Sequence, residues 1–215
     1  MQLIGVDLGQ AELIEGAGKS GLTGIFKRPV LTPVHVGALG LTGDTICDTR
    51  NHGGPDQAVY VYGMLDYQWW ENELGVPLLP GTFGENLTLS HLASSNLLIG
   101  DRFEIGSVVL EVTSPRIPCS TLAARMGDPT FVKRFRAAER PGAYCRVLQE
   151  GTLQAGDPVT HRVYPGEPVR LNQLFEDFFE PPRDLQRIRR HLAAPVHHEV
   201  RQDREKQQAR LLAGH

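Results

Sequence analysis

Cysteine is scarce in this sequence: the 215-residue chain contains three, Cys47, Cys119 and Cys145. They lie far apart and form no C-x-x-C pair, which argues against a disulfide framework and against a structural zinc knot. An odd number of widely spaced cysteines is typical of proteins in a reducing compartment. We therefore expect a cytoplasmic protein.

Long apolar runs and an excess of basic charge are also missing. No stretch approaches the roughly 18 apolar residues of a membrane-spanning helix, so no membrane contact is expected. The first residues have neither the basic segment nor the apolar core of a signal peptide. With 22 Lys and Arg against 25 Asp and Glu, the formal charge is −3. Direct nucleic-acid binding is therefore not expected.

The chain is β-rich in pattern up to about residue 163, where short β-branched and aromatic runs alternate with Gly, Pro and Asp. Gly106 and Ser107 suit a type II′ turn and predict a hairpin. Many short strands at close spacing favour a sandwich or a barrel. The clearest predicted strands are residues 58–62, 86–89, 102–105, 108–113 and 143–148.

Two helices are predicted within this β-rich part, at residues 64–73 and 128–138. The second has Asp128 as its N-cap and Pro129 at its first helical position. A Pro/Gly-rich linker then precedes three further helices, of which the first two are amphipathic and the third is mostly charged. We therefore divide the chain into a β domain, residues 1–164, and a three-helix extension, residues 165–215.

The predicted extension is too small to hold a core alone. We expect it to dock on the β domain or on a second subunit, and its amphipathic helices are compatible with a homodimer. Its tail contains the adjacent His197 and His198. Neighbouring residues of a helix point about 100° apart. We therefore expect these two imidazoles to lie on a solvated surface without sharing a metal.

Residues 16–21, "GAGKSG", match G-x-G-x-x-G literally. Neither a Rossmann turn nor a P-loop is expected, because the sequence that follows is poor helix material and a phosphate site needs a helix N-terminus there. A flexible loop with Lys19, Ser20 and Lys27 can still contact a phosphate through ammonium charge and bare N–H groups.

Two other glycine loops carry polar residues directly into predicted strands. In "NHGGPDQAVYVY", His52 precedes Gly53 and Gly54, whose bare backbone lets a ligand approach closely. In "GTFGENLTL", Glu85 and Asn86 hold the corresponding place. Polar clusters at strand mouths are typical of sites. An ordinary turn explains the first loop equally well and explains the second better.

The segment "SPRIPC" leaves the end of the predicted strand 108–113 and delivers Cys119. Its two prolines fix φ and stiffen the approach to the thiol. Arg116 supplies a positive charge that favours the thiolate, and Ser120 begins a short helical turn whose N–H groups act in the same sense. Cys119 is therefore a nucleophile paired with His52, a soft-metal ligand or a buried inert thiol. The residue pattern leaves these alternatives open.

Taken together, seven motifs make the sequence resemble MOSC domains, named after the molybdenum cofactor sulfurase C-terminal domain. In chain order they are "TGIFKRPV" (23–30), "GLTGD" (40–44), "HGGPDQAVYVY" (52–62), "GTFGENL" (81–87), "IGDRF" (99–103), "SPRIPC" (114–119) and "GAYCRVL" (142–148). The resemblance covers nearly the whole chain and is strongest to the YiiM-like branch, which carries a C-terminal three-helix extension. It implies a mainly β, barrel-like fold with a few helices.

The resemblance also implies a function. It indicates that the chain binds the molybdenum cofactor, a molybdopterin, and that Cys119 ligates molybdenum or carries sulfur. YiiM-like members are associated with reduction of N-hydroxylated compounds, including toxic bases. An oxidoreductase of this kind takes a small N-hydroxylated substrate and electrons from an external donor protein. Two alternatives are a sulfur carrier with a persulfide on Cys119 and a module that delivers cofactor to an apoenzyme.

Site residues follow from the matching motifs. The expected catalytic residues are Cys119, which is also the molybdenum ligand, and His52, which contacts the pterin or supplies a proton. The pterin carries a phosphate that needs positive charge and N–H groups. The expected cofactor-binding residues are Lys27, His52, Gly53, Gly54, Asn86, Arg116 and Ser120.

Overall fold

The computed structural model describes residues 1–15 and 21–213. Most of the "GAGKSG" motif, including Lys19 and Ser20, lies outside these described residues. None of the described helices combines the length and apolarity that a bilayer crossing requires.

Thirteen strands and six α-helices make up the described part of the chain. The strands are β1 (Leu3–Gly9), β2 (Glu12–Leu13), β3 (Leu22–Thr23), β4 (Lys27–Pro29), β5 (Val34–Gly37), β6 (Gly40–Leu41), β7 (Val59–Gly63), β8 (Leu87–Leu89), β9 (Arg102–Ile105), β10 (Val108–Pro115), β11 (Ala143–Gln149), β12 (Gly151–Leu153) and β13 (Val159–Arg162). The helices are α1 (Met64–Leu74), α2 (Ser120–Met126), α3 (Phe131–Ala138), α4 (Leu171–Phe179), α5 (Leu185–Ala193) and α6 (His198–Leu212).

The principal sheet has eight strands in the order β13-β9-β10-β11-β7-β8-β1-β4. All its pairings are antiparallel except β7 with β8. Its two outermost strands do not pair with each other within the described residues, so no closed barrel is found there. Six helices accompany the sheet, and the fold is a mixed, sheet-rich one. Closure depends on strand tilt and stagger around a whole barrel, which a local strand pattern does not encode.

The five clearest predicted strands are all present, as β7 to β11, with ends within two residues of the prediction. The hairpin is confirmed, because Val108 pairs with Ile105 and Gly106 has φ of 59°. The predicted start of α3 is wrong, because the helix begins at Phe131. Asp128 instead accepts the Thr130 N–H at 2.8 Å, the local turn that an aspartate side chain favours.

The three predicted C-terminal helices are present as α4, α5 and α6. Leu171 and Leu174 of α4 are buried in the same core as the sheet, and Phe175 joins a second, aromatic core. The extension therefore packs on the sheet within one chain, while a homodimer and the division at residue 164 stay predictions. The aromatic core includes Trp70 and Phe135, which hold α1 and α3 against strand β7.

Candidate functional site

Cys119 lies where strand β10 has ended and helix α2 begins. It is the N-cap of α2, with an extended backbone at φ −131° and ψ 172°. The residue is half-buried, and its carbonyl accepts the backbone N–H of Leu122 at 3.1 Å. The buried Pro118 fixes φ directly before the cysteine. The sulfur is therefore held at the boundary between sheet and helix.

His52 and Arg116 both reach this sulfur. The imidazole of His52 is half-buried and hydrogen-bonds to Cys119. The guanidinium of Arg116 is 4% exposed and also hydrogen-bonds to Cys119. The structure thus brings together three of the predicted site residues, which come from two separate stretches of the chain.

The surroundings of Cys119 favour its thiolate. Burial alone opposes ionisation and raises the pKa, and it is the largest single influence. The hydrogen bond with His52, the positive charge of Arg116 and the N–H of Leu122 together outweigh it and lower the pKa of Cys119 from 9.0 to about 6. By contrast, burial and the charge of Glu111 raise the pKa of the fully buried Cys145. Cys119 is the thiol prepared to act as a nucleophile or as a soft-metal ligand.

Arg116 offers a donor that the protein itself does not use. Its Cζ lies 5.7 Å from the ring centroid of Tyr60 and 6.0 Å from that of Phe135. Its Nη1 is buried and has no hydrogen-bond partner among the described residues. A buried charged donor without a partner is costly. Its presence beside a reactive sulfur points to an anionic or oxygen-bearing ligand.

Tyr144 is a site residue that the sequence analysis missed. Its phenol oxygen lies 3.3 Å from Nδ1 of His52. Burial raises the pKa of Tyr144, while the charge of Arg116 opposes the rise, so the hydroxyl keeps its proton. Strand β11 pairs Tyr144 with Ser114, the first residue of the "SPRIPC" segment. This strand pairing brings Tyr144 close to Cys119, and the sequence alone does not reveal which strands pair. We call Cys119, His52, Arg116 and Tyr144 the thiol centre.

The predicted glycine loop and Ser120 border the thiol centre. Gly53 and Gly54 both have φ of 80°, a conformation that favours glycine. A Cβ at Gly53 would lie 2.9 Å from the Cδ1 of Ile46, whereas the space beside Gly54 is open. Ser120 is exposed at the start of α2. It borders an open surface pocket of about 490 Å³ that is otherwise lined by small and apolar residues of α2, of α3 and of the turn between them, and by Asp128.

Lys27 and Asn86 belong to a different group. Nζ of Lys27 lies 2.5 Å and 2.6 Å from the two carboxylate oxygens of Asp44. Asn86 donates to Asp44 at 2.9 Å and accepts the Tyr60 N–H at 3.1 Å. Within the described part of the chain, neither side chain hydrogen-bonds to the thiol centre. The charge of Lys27 is therefore neutralised by Asp44, and its phosphate-binding role stays a prediction.

The fold and the thiol centre define a MOSC domain. The family model described as "MOSC domain" matches residues 48–160, and the chain belongs to this family. It is 40% identical over 154 residues to the "Uncharacterized protein YflK" of Bacillus subtilis (strain 168), which covers 72% of this chain and 70% of YflK.

Two further relatives extend the comparison. The crystal structure of YiiM from Geobacillus stearothermophilus is similar with a TM-score of 0.79 and 27% identity, over 96% of this chain and 98% of that one. The predicted YiiM-like fold is thereby confirmed. A protein named "Reductase" from Gibberella moniliformis (strain M3125 / FGSC 7600) is 36% identical over 147 residues, which cover 66% of this chain and 26% of that protein. The chain thus spans about a quarter of that relative.

Proposed function

We propose that this protein is a molybdenum-cofactor-dependent oxidoreductase that reduces N-hydroxylated compounds. The observation that carries the proposal is the thiolate-prone Cys119, held between His52 and Arg116. Family membership and the likeness to a protein named "Reductase" support redox chemistry in general. The substrate class comes from the resemblance to YiiM-like proteins.

The residues of the thiol centre fit such a cofactor. A thiolate is a preferred ligand for soft metals, and Cys119 supplies it. The unpartnered Nη1 of Arg116 suits an oxygen of the pterin or its phosphate. The open backbone at Gly54 and the exposed Ser120 leave room on either side of the sulfur. When bound, the cofactor supplies a redox-active soft metal beside the substrate.

His52 has the geometry of a proton donor in this reaction. Reduction of a hydroxylamine group to an amine takes two electrons and two protons, and it releases the oxygen as water. The electrons come from the proposed external donor protein. In the proposed arrangement the Tyr144 hydroxyl, 3.3 Å from Nδ1 of His52, is the donor, and the proton of the imidazole lies on Nε2. His52 can hold that proton next to Cys119 and deliver it to the departing oxygen.

The pocket beside Ser120 suits the substrate. Its volume of about 490 Å³ is within the range of small-molecule pockets. Its lining combines Ala123, Ala124 and Val132 with the carboxylate of Asp128. Apolar walls accept a flat ring, while the carboxylate of Asp128 is already held by Thr130 and Arg134.

Metal analysis of the protein from a cofactor-competent host tests this proposal. We expect stoichiometric molybdenum in the wild type and its loss in Cys119→Ser. The matched control is Cys47→Ser, since Cys47 is also half-buried and free, and it should retain the metal. Molybdenum retained by Cys119→Ser would refute the ligand assignment.

Two other results would replace the proposal by its alternatives. Absence of molybdenum together with cyanide-releasable sulfur on Cys119 would identify a sulfur carrier. Bound molybdenum without turnover of N-hydroxylated bases by the chemically reduced protein would favour a cofactor-delivery module.

A further inference from the structure

A second cluster of ligating side chains lies outside the thiol centre, where the C-terminal extension meets the β domain. Asp56, His197 and His198 each place one ligand atom within 4.8 Å of the others. Asp56 belongs to the short 3-10 turn Pro55–Gln57. The two histidines come from the other end of the chain, at the start of helix α6.

The backbone at residue 197 explains why two adjacent histidines converge. His197 is the N-cap of α6, with φ −50° and ψ 141°, so it lies outside the helix and the expected divergence of about 100° does not apply. Its ring centroid lies 4.4 Å from that of His198. His197 is 4% exposed, which contradicts the expectation of a solvated surface, whereas the side chain of His198 is 58% exposed.

Asp56 and His198 already contact each other, and their ligand atoms are slightly closer than two ligands of one metal ion. Oδ2 of Asp56 lies 3.0 Å from Nδ1 of His198 and accepts its backbone N–H at 2.8 Å. A tetrahedral ion with bonds of about 2.1 Å holds two ligand atoms roughly 3.4 Å apart. The three ligand atoms therefore reach the spacing of a tetrahedral metal site when this contact widens by a few tenths of an ångström and the imidazole of His197 moves closer. The exposed side of His198 leaves a path and a fourth position for water.

The ligand atoms of the cluster select the kind of metal. Arg146 lies 2.9 Å from Oδ1 of Asp56 and offsets the only carboxylate of the cluster. Glu111, 3.6 Å away, and the carbonyls of Pro195 and Val196, both at 3.3 Å, also hold Arg146 in place. A hard cation such as Mg²⁺ or Ca²⁺ depends on several oxygen ligands, which the cluster lacks. Imidazole nitrogen instead suits Zn²⁺ and its neighbours in the transition series.

We propose that Asp56, His197 and His198 form a binding site for a divalent transition metal of the zinc type, separate from the thiol centre. Such an ion ties α6 to the turn that directly follows His52, Gly53 and Gly54. On binding, His197 exchanges its present contact, in which Nδ1 accepts the Glu199 N–H at 3.1 Å, for the metal. The site thereby couples the extension to the loop that carries the proposed proton donor. The inference does not depend on the proposed reductase function.

Zinc titration of the tag-free protein by calorimetry tests the proposal, in a Cys119→Ser background that removes the reactive thiol. We expect one zinc per chain in this background and at least a tenfold weaker dissociation constant after His198→Ala. The matched control is His35→Ala, because His35 is 54% exposed and also lies beside a carboxylate, that of Glu150. It should bind zinc as the background does.

Cobalt substitution provides a second measurement that identifies the ligands. Cobalt at this site gives visible d–d bands without the near-ultraviolet charge-transfer band of a thiolate ligand. Asp56→Asn should weaken those bands as His198→Ala does. No zinc binding in the Cys119→Ser background, unchanged affinity in His198→Ala, or a thiolate band would each overturn the proposal. Circular dichroism of each variant verifies that the fold is retained.

Discussion

The phenol oxygen of Tyr144 lies 3.3 Å from Nδ1 of His52, and His52 in turn hydrogen-bonds to the sulfur of Cys119. The two outer residues, Tyr144 and Cys119, lie on different elements. Both contact the same imidazole, so the orientation of the ring depends on a hydroxyl of strand β11. Tyr144 is therefore a positioning residue for the thiol centre.

Tyr144→Phe should raise the pKa of Cys119 from about 6 toward its ordinary value. Without the hydroxyl, Nδ1 of His52 loses its partner, and the tautomer that donates to the sulfur is no longer selected. The pH dependence of alkylation of Cys119 by iodoacetamide, followed by mass spectrometry, reports this pKa. Tyr164→Phe, which changes a half-buried tyrosine outside the thiol centre, should leave the profile unchanged. An identical profile for Tyr144→Phe would contradict the positioning role.

Arg116→Met should raise the pKa of Cys119 to between roughly 7 and 9, because an adjacent positive charge lowers the pKa of an acidic group by about 1 to 3. The stability of the fold should change little at pH 8, because replacing a buried charge and its unpartnered Nη1 by an apolar side chain is often neutral or favourable. Alkylation rates and urea unfolding measure the two effects.

The control for that change is Arg125→Met. Arg125 also lies over an aromatic ring, with its Cζ 4.7 Å from the centroid of Phe26. It is not among the groups that shift the pKa of Cys119. Its replacement should leave the pKa of Cys119 where it is. A large loss of stability in Arg116→Met alone would show that this guanidinium stabilises the fold rather than serving a ligand.

The stability of Asp7→Asn should increase relative to that of the wild type as the pH rises. Asp7 is fully buried, and both of its carboxylate oxygens lack partners in the described structure. Burial, together with the charge of Glu85, raises the pKa of Asp7 from 3.8 to about 7. The folded state therefore binds the proton more tightly than the unfolded state, and this carboxyl reduces stability as the pH rises from about 4 through 7.

The difference in unfolding free energy between Asp7→Asn and the wild type should grow by about 2–3 kcal/mol from pH 5 to pH 8. Cys119 acts with the opposite sign between its folded pKa of about 6 and its ordinary 9.0, but it is present in both proteins and cancels. Urea unfolding at both pH values measures the difference. Asp203→Asn, with a side chain 67% exposed, should show no such growth.

Leu174→Ala should lower the free energy of unfolding by about 2–5 kcal/mol, the usual effect of emptying a buried leucine site. Leu174 lies in α4 but is 2% exposed, within the core of the sheet. Both tryptophans lie in α1, next to the aromatic core that Phe175 of α4 joins, so their fluorescence senses both parts of the chain. A single shifted transition, the same by fluorescence and by far-ultraviolet circular dichroism, would show that the extension and the sheet unfold together. Leu212→Ala, at a leucine 63% exposed, should change stability by less than about 0.5 kcal/mol.

Local elements of the fold were predictable from the sequence. Short runs of β-branched and aromatic residues between Gly, Pro and Asp predicted β7 to β11. The strand β1 went unrecognised. It lies between β8 and β4, and its sequence contains Gly5, Asp7 and Gly9, residue types that are typical of turns. The openness of the sheet likewise depends on which strands end up as neighbours.

The candidate site was likewise predictable from the sequence only in part. The prolines and Arg116 of "SPRIPC" predicted a reactive thiol, and the structure places Arg116 at the sulfur. The structure also places Lys27 against Asp44, an ion pair that no local pattern indicated. The resemblance to MOSC domains supplied the chemistry, since residue type alone left a nucleophile, a metal ligand and an inert thiol open.

By itself the sequence determined the family, the principal strands and helices, and a charged, proline-held approach to Cys119. These depend on residues close together in the chain, whose spacing and side-chain chemistry can be compared directly. Only the tertiary structure decided that Tyr144 orients His52, that Lys27 is already neutralised, and that His197 and His198 converge on Asp56. Each of these depends on strand pairing or helix capping between distant segments, because a side chain acts on whatever the fold brings within a few ångströms.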